Sequence, residues 1–411
     1  MTETSLIKDI KSRRVFDSRG NPSVEVDIIT TNNVIGRAIS PSGASTGKNE
    51  ALELRDKDNM FGGKDIKNAL KLINTSLKPL LIGNSCLDQK QFDKILLDFD
   101  NSFNKENIGG NVTTALSIAN YLCASRFLNV PLYKMERKNK IYKLPKTEIQ
   151  IFGGGAHAGN NKSFQDFLIY PNSEFSYEDF YNATYNILKW IRKDLEKKNN
   201  FFGYCDEGGI FPNLINHFQI CEIINEAILK NHYIPGKDIC ISIDVAANNI
   251  FNDNFYNLLN KKFDVDELEN IYLDLVDNYN VKLLEDPFEE GDFKSFSKLK
   301  KNLKNKCKLI GDDLICTNYS LLKNSLKKNL IDGIIIKINQ CGTITETKKV
   351  IQLAKKNNIK TILSARSGDS EDNYLSHLAI NWDVDMIKVG SFSRSERMAK
   401  WNELIRIVEI L

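Results

Sequence analysis

The chain has 411 residues, more than the roughly 100–200 residues of an ordinary domain, so we expect two or three folding units. Its 42% hydrophobic and 27% charged content is typical of a globular protein, and a formal net charge of +3 gives no indication of nucleic-acid binding. No stretch approaches the roughly 18 apolar residues of a membrane span, and Met1 to Arg14 lack the apolar segment of a secretory signal, so we expect a cytoplasmic protein.

The first third of the chain shows the signals of a hairpin followed by helices. Short strands are predicted at 24–30 and 34–40, on either side of a turn at Asn32 and Asn33. Apolar periodicity then predicts three amphipathic helices, over 66–82, 88–98 and 112–128. We therefore predict a smaller α+β domain over residues 1–136, with a linker in the polar stretch from Glu136 to Lys143.

After Pro145, short apolar runs alternate with helical segments, which indicates βα units and a parallel sheet. Six successive apolar runs finish on a charged residue, and one charged strand end by itself would be as well explained by solvation. In a (β/α)₈ barrel the carboxyl ends of the strands face one mouth, so six charges in register predict one site. The prediction is an α/β fold with a (β/α)₈ TIM-like barrel over residues 145–411. The charged run ends are Asp244, Glu285, Asp312, Lys337, Arg366 and Lys388.

Three of these residues, Asp244, Glu285 and Asp312, are carboxylates from adjacent predicted strands. Such a set suits a hard, oxygen-seeking cation such as Mg²⁺. Without a cation the three carboxylates would repel, and burial would raise their pKa values until they were neutral. The alternative is that each acid pairs with a neighbouring lysine.

The other three, Lys337, Arg366 and Lys388, would give the same mouth a cationic half. An anionic substrate chelated to a metal would fit between the two halves. A lysine near a metal and other cations can have a lowered pKa and act as a general base. The alternative, that these cations only neutralise the acids, stays open at this point.

Seven stretches together resemble the enolase family, in the family's order and over essentially the whole chain. They are FDSRGNPSVEVD (16–27), PSGASTGKNEALELRD (41–56), DEGG (206–209), EDP (285–287), GDDL (311–314), IKINQCGTITET (336–347) and IKVGSFSRSERMAKWNELIRI (387–407). The resemblance implies an enolase-type barrel after a smaller N-terminal domain. It also implies reversible, Mg²⁺-dependent dehydration of 2-phospho-D-glycerate to phosphoenolpyruvate, in glycolysis and gluconeogenesis.

The resemblance implies roles for individual residues. Asp244, Glu285 and Asp312 would bind the first Mg²⁺, and Ser45 would hold a second that arrives with the substrate. Lys337 would remove the proton next to the carboxylate, and Glu207 would protonate the departing hydroxyl. The implied substrate contacts are His157, Gln165, Asp166, Arg366, Ser367 and Lys388. A homodimer is also implied, since Glu25 and Arg406 match an inter-subunit ion pair of the family.

The chain departs from the family pattern at two positions near the reaction. Ala365 stands where the family has a histidine before the Arg-Ser pair, and Asp166 stands where it has a glutamate. These changes predict an active but slowed enolase, with a catalytically weak binding or scaffold protein as the alternative. A relative acting on a non-phosphorylated carboxylate is disfavoured by Ser45 and by the Arg366-Ser367 pair.

Other patterns that could suggest binding sites are interpreted differently. Gly43 to Lys48 resembles a phosphate loop, but the glycine spacing is one residue short and Asn49 replaces the required Ser or Thr. This segment and the glycine-rich stretch from Gly153 to Asn161 are interpreted as loops over the mouth. The eight cysteines show no metal-type spacing and are predicted to be small buried apolar side chains.

Overall fold

The computed structural model describes residues 5–44, 46–136, 142–159, 162–213 and 216–411. Its N-terminal part holds an antiparallel sheet of three strands in the order β1-β2-β3. The strands are β1 (Ile7–Phe16), β2 (Pro22–Thr30) and β3 (Ile35–Ile39). The two predicted strands correspond to β2 and β3. Strand β1 was not predicted, because its basic residues obscure the alternation and it buries only Ile7 and Ile10.

All three helices predicted in this part form. They are α1 (Lys67–Leu72) and α2 (Lys78–Leu81), joined by a π-helical turn at Ile73–Leu77, then α3 (Gln89–Phe99) and α4 (Gly110–Phe127). Helix α4 is buried over most of its surface and packs against β2 and β3. A Cβ on Gly36 would lie 2.1 Å from the Ala119 carbonyl oxygen, so the absent side chain permits this close approach.

Within the described residues, eight strands close into a barrel, because the last one pairs with the first. In chain order they are β4 (Lys146–Gly153), β5 (Asp166–Pro171), β8 (Ile239–Asp244), β12 (Val281–Glu285), β13 (Lys308–Gly311), β14 (Gly333–Ile336), β15 (Lys360–Ser364) and β16 (Met386–Ser391). The barrel fold is therefore as predicted. One detail differs: β5 runs antiparallel to both β4 and β8, since no long helix separates it from β4. The beginning of β5 therefore faces the mouth.

Helices surround the barrel, and two groups of short strands lie outside it. The helices are α5 (Tyr177–Lys197), α6 (His217–Lys230), α7 (Val265–Asn278), α8 (Phe293–Asn302), α9 (Tyr319–Lys327), α10 (Ile338–Cys341), α11 (Ile344–Lys356), α12 (Tyr374–Asn381) and α13 (Ser395–Ile410). The short strands are β6 (Phe201–Tyr204) and β7 (Ile210–Pro212), then β9 (Phe251–Asn252), β10 (Phe255–Leu258) and β11 (Lys261–Phe263). No helix in the described part of the chain is long and apolar enough to cross a membrane.

A buried polar contact joins the N-terminal helices to the barrel. Asp93 of α3 accepts hydrogen bonds from the backbone and hydroxyl of Thr345 at 2.9 and 2.5 Å, at the start of α11. Ser117 of α4 donates to the same carboxylate at 2.6 Å. Burial raises the pKa of Asp93 to about 6, although these hydrogen bonds oppose the rise. Much of the predicted linker falls on 137–141, outside the described residues.

The cysteine prediction is confirmed. All eight cysteines lie in the described ranges, and each is buried with a free thiol. Burial raises the pKa of Cys221 and Cys307, so neither thiol is ionised near neutral pH.

Candidate active site

The six charged residues predicted at strand ends do meet at one mouth, although only two are the last residue of a strand. Asp244 ends β8 and Glu285 ends β12. Asp312 and Lys337 follow β13 and β14 directly, and Arg366 lies two residues beyond β15. Lys388 is the third residue of β16, which continues to Ser391, so the prediction of a strand end there was wrong.

The acids and cations of the mouth interleave instead of forming two halves. The Lys388 Nζ lies 2.9 Å from Asp244 Oδ2 and 2.8 Å from Glu285 Oε2. Lys337 Nζ donates to Asp312 Oδ2. Burial lowers the pKa of Lys388, but the facing carboxylates outweigh burial and hold the pKa well above its usual value. The ammonium groups therefore occupy positions where the acids attract a cation.

The pKa of Lys337 is also raised in this arrangement. Burial and the positive charge of Arg366 both lower the Lys337 pKa, but the nearby carboxylates, Asp312 foremost, raise it by more. The lowered pKa that Lys337 needs as a general base is expected only when a metal ion is bound at the site. A cation bound to Asp312 would oppose the effect of this carboxylate on Lys337.

The carboxylates of the mouth suit a hard divalent cation. Among the described residues, Glu285 Oε1 is buried without a hydrogen-bond partner, and burial and Asp244 together raise the pKa of Glu285 well above its usual value. Both facts indicate that the surroundings stabilise the Glu285 carboxylate incompletely, which a bound cation would remedy. Three groups of described acids and histidines have ligand atoms within 4.8 Å of one another, and the predicted triad is not one of them. Ser45 lies outside the described residues.

A buried chain of three residues links the beginning of β5 to the DEGG turn. His157 lies in a 3₁₀ turn at Gly155–Ala158, with Nδ1 3.0 Å from Asp166 Oδ1 and Nε2 3.7 Å from Glu207 Oε1. Burial lowers the pKa of His157, but Asp166 and Glu207 outweigh it and raise the pKa to about 9. The imidazole is therefore charged at neutral pH, between two carboxylates.

The predicted phosphate clamp is held by a residue of the N-terminal part. Arg366 Nη1 donates to Glu50 Oε2 at 2.9 Å and to Asn339 Oδ1 at 3.0 Å. Glu50 also accepts from the Gly47 backbone at 3.1 Å, in the loop that contains Ser45. The Ser367 hydroxyl is buried and has no hydrogen-bond partner among the described residues, so it is available to a ligand.

Most of the predicted site residues line one polar cavity together with Ala365 and Gly43. The predicted residues in its wall are His157, Gln165, Asp166, Glu207, Asp244, Lys337, Arg366, Ser367 and Lys388. Gln165 is held there by a hydrogen bond of 3.2 Å from its Nε2 to Asp244 Oδ2. A larger cavity of about 440 Å³ lies near Phe164 and Phe211, but its mainly apolar wall does not suit a multiply charged substrate.

Three polar residues near the site were not singled out from the sequence. Glu50 and Gln340 lie within quoted family stretches, and Gln340 Nε2 donates to Asp312 Oδ1 at 2.8 Å. Gln150 lies in β4 and contacts Asp166. Its only sequence signal is a polar residue alternating with Ile149 and Ile151 in a buried strand.

Comparison with known proteins identifies the family. Residues 7–135 match the model of the enolase N-terminal domain, and residues 141–411 match that of the enolase C-terminal TIM barrel domain. The chain belongs to the enolase family. The predicted family and fold are confirmed, and these matches support enolase activity over the scaffold alternative.

Individual enolases resemble the chain over nearly its whole length. The enolase of Ehrlichia canis (strain Jake) is 40% identical over 402 residues, which cover 98% of this chain and 96% of that enolase. The enolase of Pelagibacter ubique (strain HTCC1062) is 40% identical over 409 residues, covering 99% and 97%. The enolase of Natranaerobius thermophilus is 38% identical over 409 residues, covering 99% and 96%.

Proposed function

We propose that the protein catalyses the reversible, Mg²⁺-dependent dehydration of 2-phospho-D-glycerate to phosphoenolpyruvate, as a cytoplasmic enzyme of glycolysis and gluconeogenesis. One observation carries the proposal: a base candidate, Lys337, and an acid candidate, Glu207, line the same small cavity as Arg366 and Ser367. A phosphorylated carboxylate needs cationic and hydroxyl contacts at one end and proton transfer at the other.

Asp244, Glu285 and Asp312 would hold one Mg²⁺, and Ser45 would contribute to a second that arrives with the substrate. When bound, these cations supply positive charge that stabilises the extra negative charge on the substrate carboxylate. A Lys base with one or two Mg²⁺ ions is the pattern already described for the enolase superfamily. The unpartnered Glu285 oxygen and the three acids support this assignment.

Lys337 removes the proton from the carbon next to the carboxylate, and the electron pair of that bond forms the new double bond. Glu207 gives its proton to the departing hydroxyl, which leaves as water. The charged His157 lies 3.7 Å from Glu207 and stabilises the carboxylate that results. The proposed order requires Glu207 to be protonated and Lys337 to be neutral when the substrate is bound.

Arg366 and Ser367 bind the phosphate, and Lys388 contacts the carboxylate side of the substrate. Because Arg366 already bonds to Glu50 at 2.9 Å, its guanidinium is oriented before the phosphate arrives. Gln165 and Asp166 complete the substrate surroundings. This assignment combines the cavity walls with the family roles.

The direct test is ultraviolet detection of phosphoenolpyruvate from 2-phospho-D-glycerate, with purified protein and Mg²⁺. Turnover that stops on chelation and returns with Mg²⁺ is expected. No turnover at high enzyme concentration, with substrate still bound, would favour the scaffold alternative.

Ala365 is proposed to slow the reaction, since its methyl group offers the cavity no polar contact. The variant Ala365→His should raise kcat/KM, measured by the same assay. Unchanged kinetics would mean that the missing imidazole does not limit the rate.

A homodimer is proposed through Glu25 and Arg406. Within the described chain, Arg406 is 60% exposed and pairs with Glu403 at 2.8 Å, while Glu25 pairs with Arg13. Sedimentation equilibrium should give a dimer, and Arg406→Glu should weaken it. The proposed domain division remains 1–136 and 145–411.

A further inference from the structure

The side chain of Gln150 has no part in the steps above, yet it lies fully buried beside them. It is 0% exposed and projects from β4. Its Nε2 donates to Asp166 Oδ1, and its Oε1 accepts from the Gly209 backbone at 2.9 Å and from Cys205 Sγ at 3.4 Å. One amide therefore connects the beginning of β5 with the turn that carries Glu207.

The partners fix the orientation of this amide. The Gly209 N–H can only donate and the Asp166 carboxylate can only accept, so the oxygen and nitrogen of Gln150 cannot exchange places. Two glycines also pack closely against the Gln150 amide, and neither position has room for a side chain. A Cβ on Gly209 would lie 2.5 Å from Gln150 Oε1, and a Cβ on Gly153 would lie 3.2 Å from Nε2.

The same carboxylate oxygen orients the imidazole. Asp166 Oδ1 accepts from Gln150 and contacts His157 Nδ1 at 3.0 Å. The other oxygen, Oδ2, has no hydrogen-bond partner among the described residues and faces Lys388 Nζ at 3.9 Å. Gln150 and His157 therefore share one oxygen of Asp166, so the glutamine amide helps to orient the carboxylate toward the imidazole.

We propose that Gln150 is a positioning residue whose length is matched to the short arm of Asp166. Together they set the distance between His157 and Glu207, so this inference rests on the proposed function. An aspartate is one methylene shorter than a glutamate, and a glutamine is one methylene longer than an asparagine. The side chains of Gln150 and Asp166 together span a fixed distance between the two backbones. Because both side chains are fully buried, a shorter one would leave a gap and a longer one would clash.

The test is a double-mutant cycle with Gln150→Asn, Asp166→Glu and both together. Each single change should lower kcat by about 10- to 100-fold, because a shift of about 1 Å near the reaction has effects of this size. This includes Asp166→Glu, although the family has a glutamate there, since the longer side chain would meet an unchanged Gln150. The double variant should recover to within about threefold of the parent. KM should change little in Gln150→Asn, since Gln150 is not among the residues assigned to the substrate.

Thr147→Val is the matched control. Thr147 lies in the same strand, is 0% exposed, and its hydroxyl has no hydrogen-bond partner in the described chain. This variant should keep the parental kcat. If Gln150→Asn also kept the parental kcat, or if the two single losses simply multiplied in the double variant, the proposal would be overturned.

A readout without turnover separates this proposal from the proposed function. The protein has four histidines, so the ring signals of His157 can be assigned by NMR with a His157→Gln variant. They should shift in Gln150→Asn and return toward the parental position in the double variant. If the parent lacks turnover but the signals behave in this way, the proposed function fails and the positioning role stands. Signals that stay unchanged in Gln150→Asn refute the positioning role even in an active enzyme.

Discussion

Replacement of Lys388 by methionine should destabilise the metal-free protein strongly. The ammonium is buried and lies within 2.9 Å of both Asp244 and Glu285. Methionine keeps an apolar stem of similar size but removes the charge. Two buried carboxylates would then face each other without the cation that pairs with both, and their repulsion and burial would favour unfolding.

The expected loss in the free energy of unfolding is about 3–5 kcal/mol, which is typical for breaking a buried ion pair. At roughly 2–4 °C per kcal/mol for a large domain, the melting temperature should fall by about 6–20 °C. Mg²⁺ should restore more stability to the variant than to the parent, because a divalent cation can replace the missing charge and binds only the folded site.

The assay is thermal unfolding at one scan rate, in a chelator and in Mg²⁺. Lys306→Ala is the control, since Lys306 pairs with Asp277 at 2.7 Å but both side chains are about half exposed. Such a surface pair is worth about 0–1 kcal/mol. The reasoning would be refuted if Lys388→Met and Lys306→Ala had the same melting temperature in chelator. It would also be refuted if Mg²⁺ raised the melting temperature of Lys388→Met no more than that of the parent.

Two further predictions concern residues that link the N-terminal part to the barrel. Glu50→Gln should lower kcat/KM by about 10-fold or more through a misplaced Arg366, while the melting temperature shifts less; kinetics like the parent's would exclude an orienting role. Asp93→Asn should change the pH dependence of unfolding. The folded pKa of Asp93, about 6, lies above the unfolded value of about 3.9, so its proton-linked stabilisation is full below the unfolded value and lost as pH rises through 6. In urea unfolding, the parent should lose stability relative to Asp93→Asn between pH 4 and 7 by about 1–3 kcal/mol. A constant difference would contradict this pKa.

The sequence was informative about the barrel because strand ends carry most of its chemistry. A charged residue after each apolar run can be read directly from the sequence. Parallel strands of a barrel bring those ends together, however the surrounding helices pack. Asp244 and Glu285 illustrate this directly. Helix α3 was also predictable, because it buries one face and leaves an apolar periodicity, and α4 was predictable as a long run of small and apolar residues.

The reversed strand β5 could not be predicted in the same way. Whether a strand runs up or down depends on the connection before it, and a 12-residue stretch between β4 and β5 reads the same for a loop or a helical turn. Asp166 reaches the mouth only because β5 begins there. Gln150 was missed because its partners, Asp166 and Gly209, come from other elements and no local pattern shows them.

The pairing of acids with cations was also beyond the sequence. Both the metal site and simple neutralisation require the same residues, and only the geometry shows Lys388 between Asp244 and Glu285. The placement of Lys388 three residues before the end of β16 has a similar origin. Strand length depends on pairing with β4, which no local signal near Lys388 reports.

The most direct test of the proposed chemistry is hydrogen exchange at the carbon next to the carboxylate of 2-phospho-D-glycerate, followed by NMR in D₂O with Mg²⁺. If Lys337 removes this proton and Glu207 acts on the hydroxyl, Glu207→Gln should still exchange the proton while forming little phosphoenolpyruvate. Lys337→Met should exchange none above background. Exchange at the parental rate in Lys337→Met would contradict the assignment of the base.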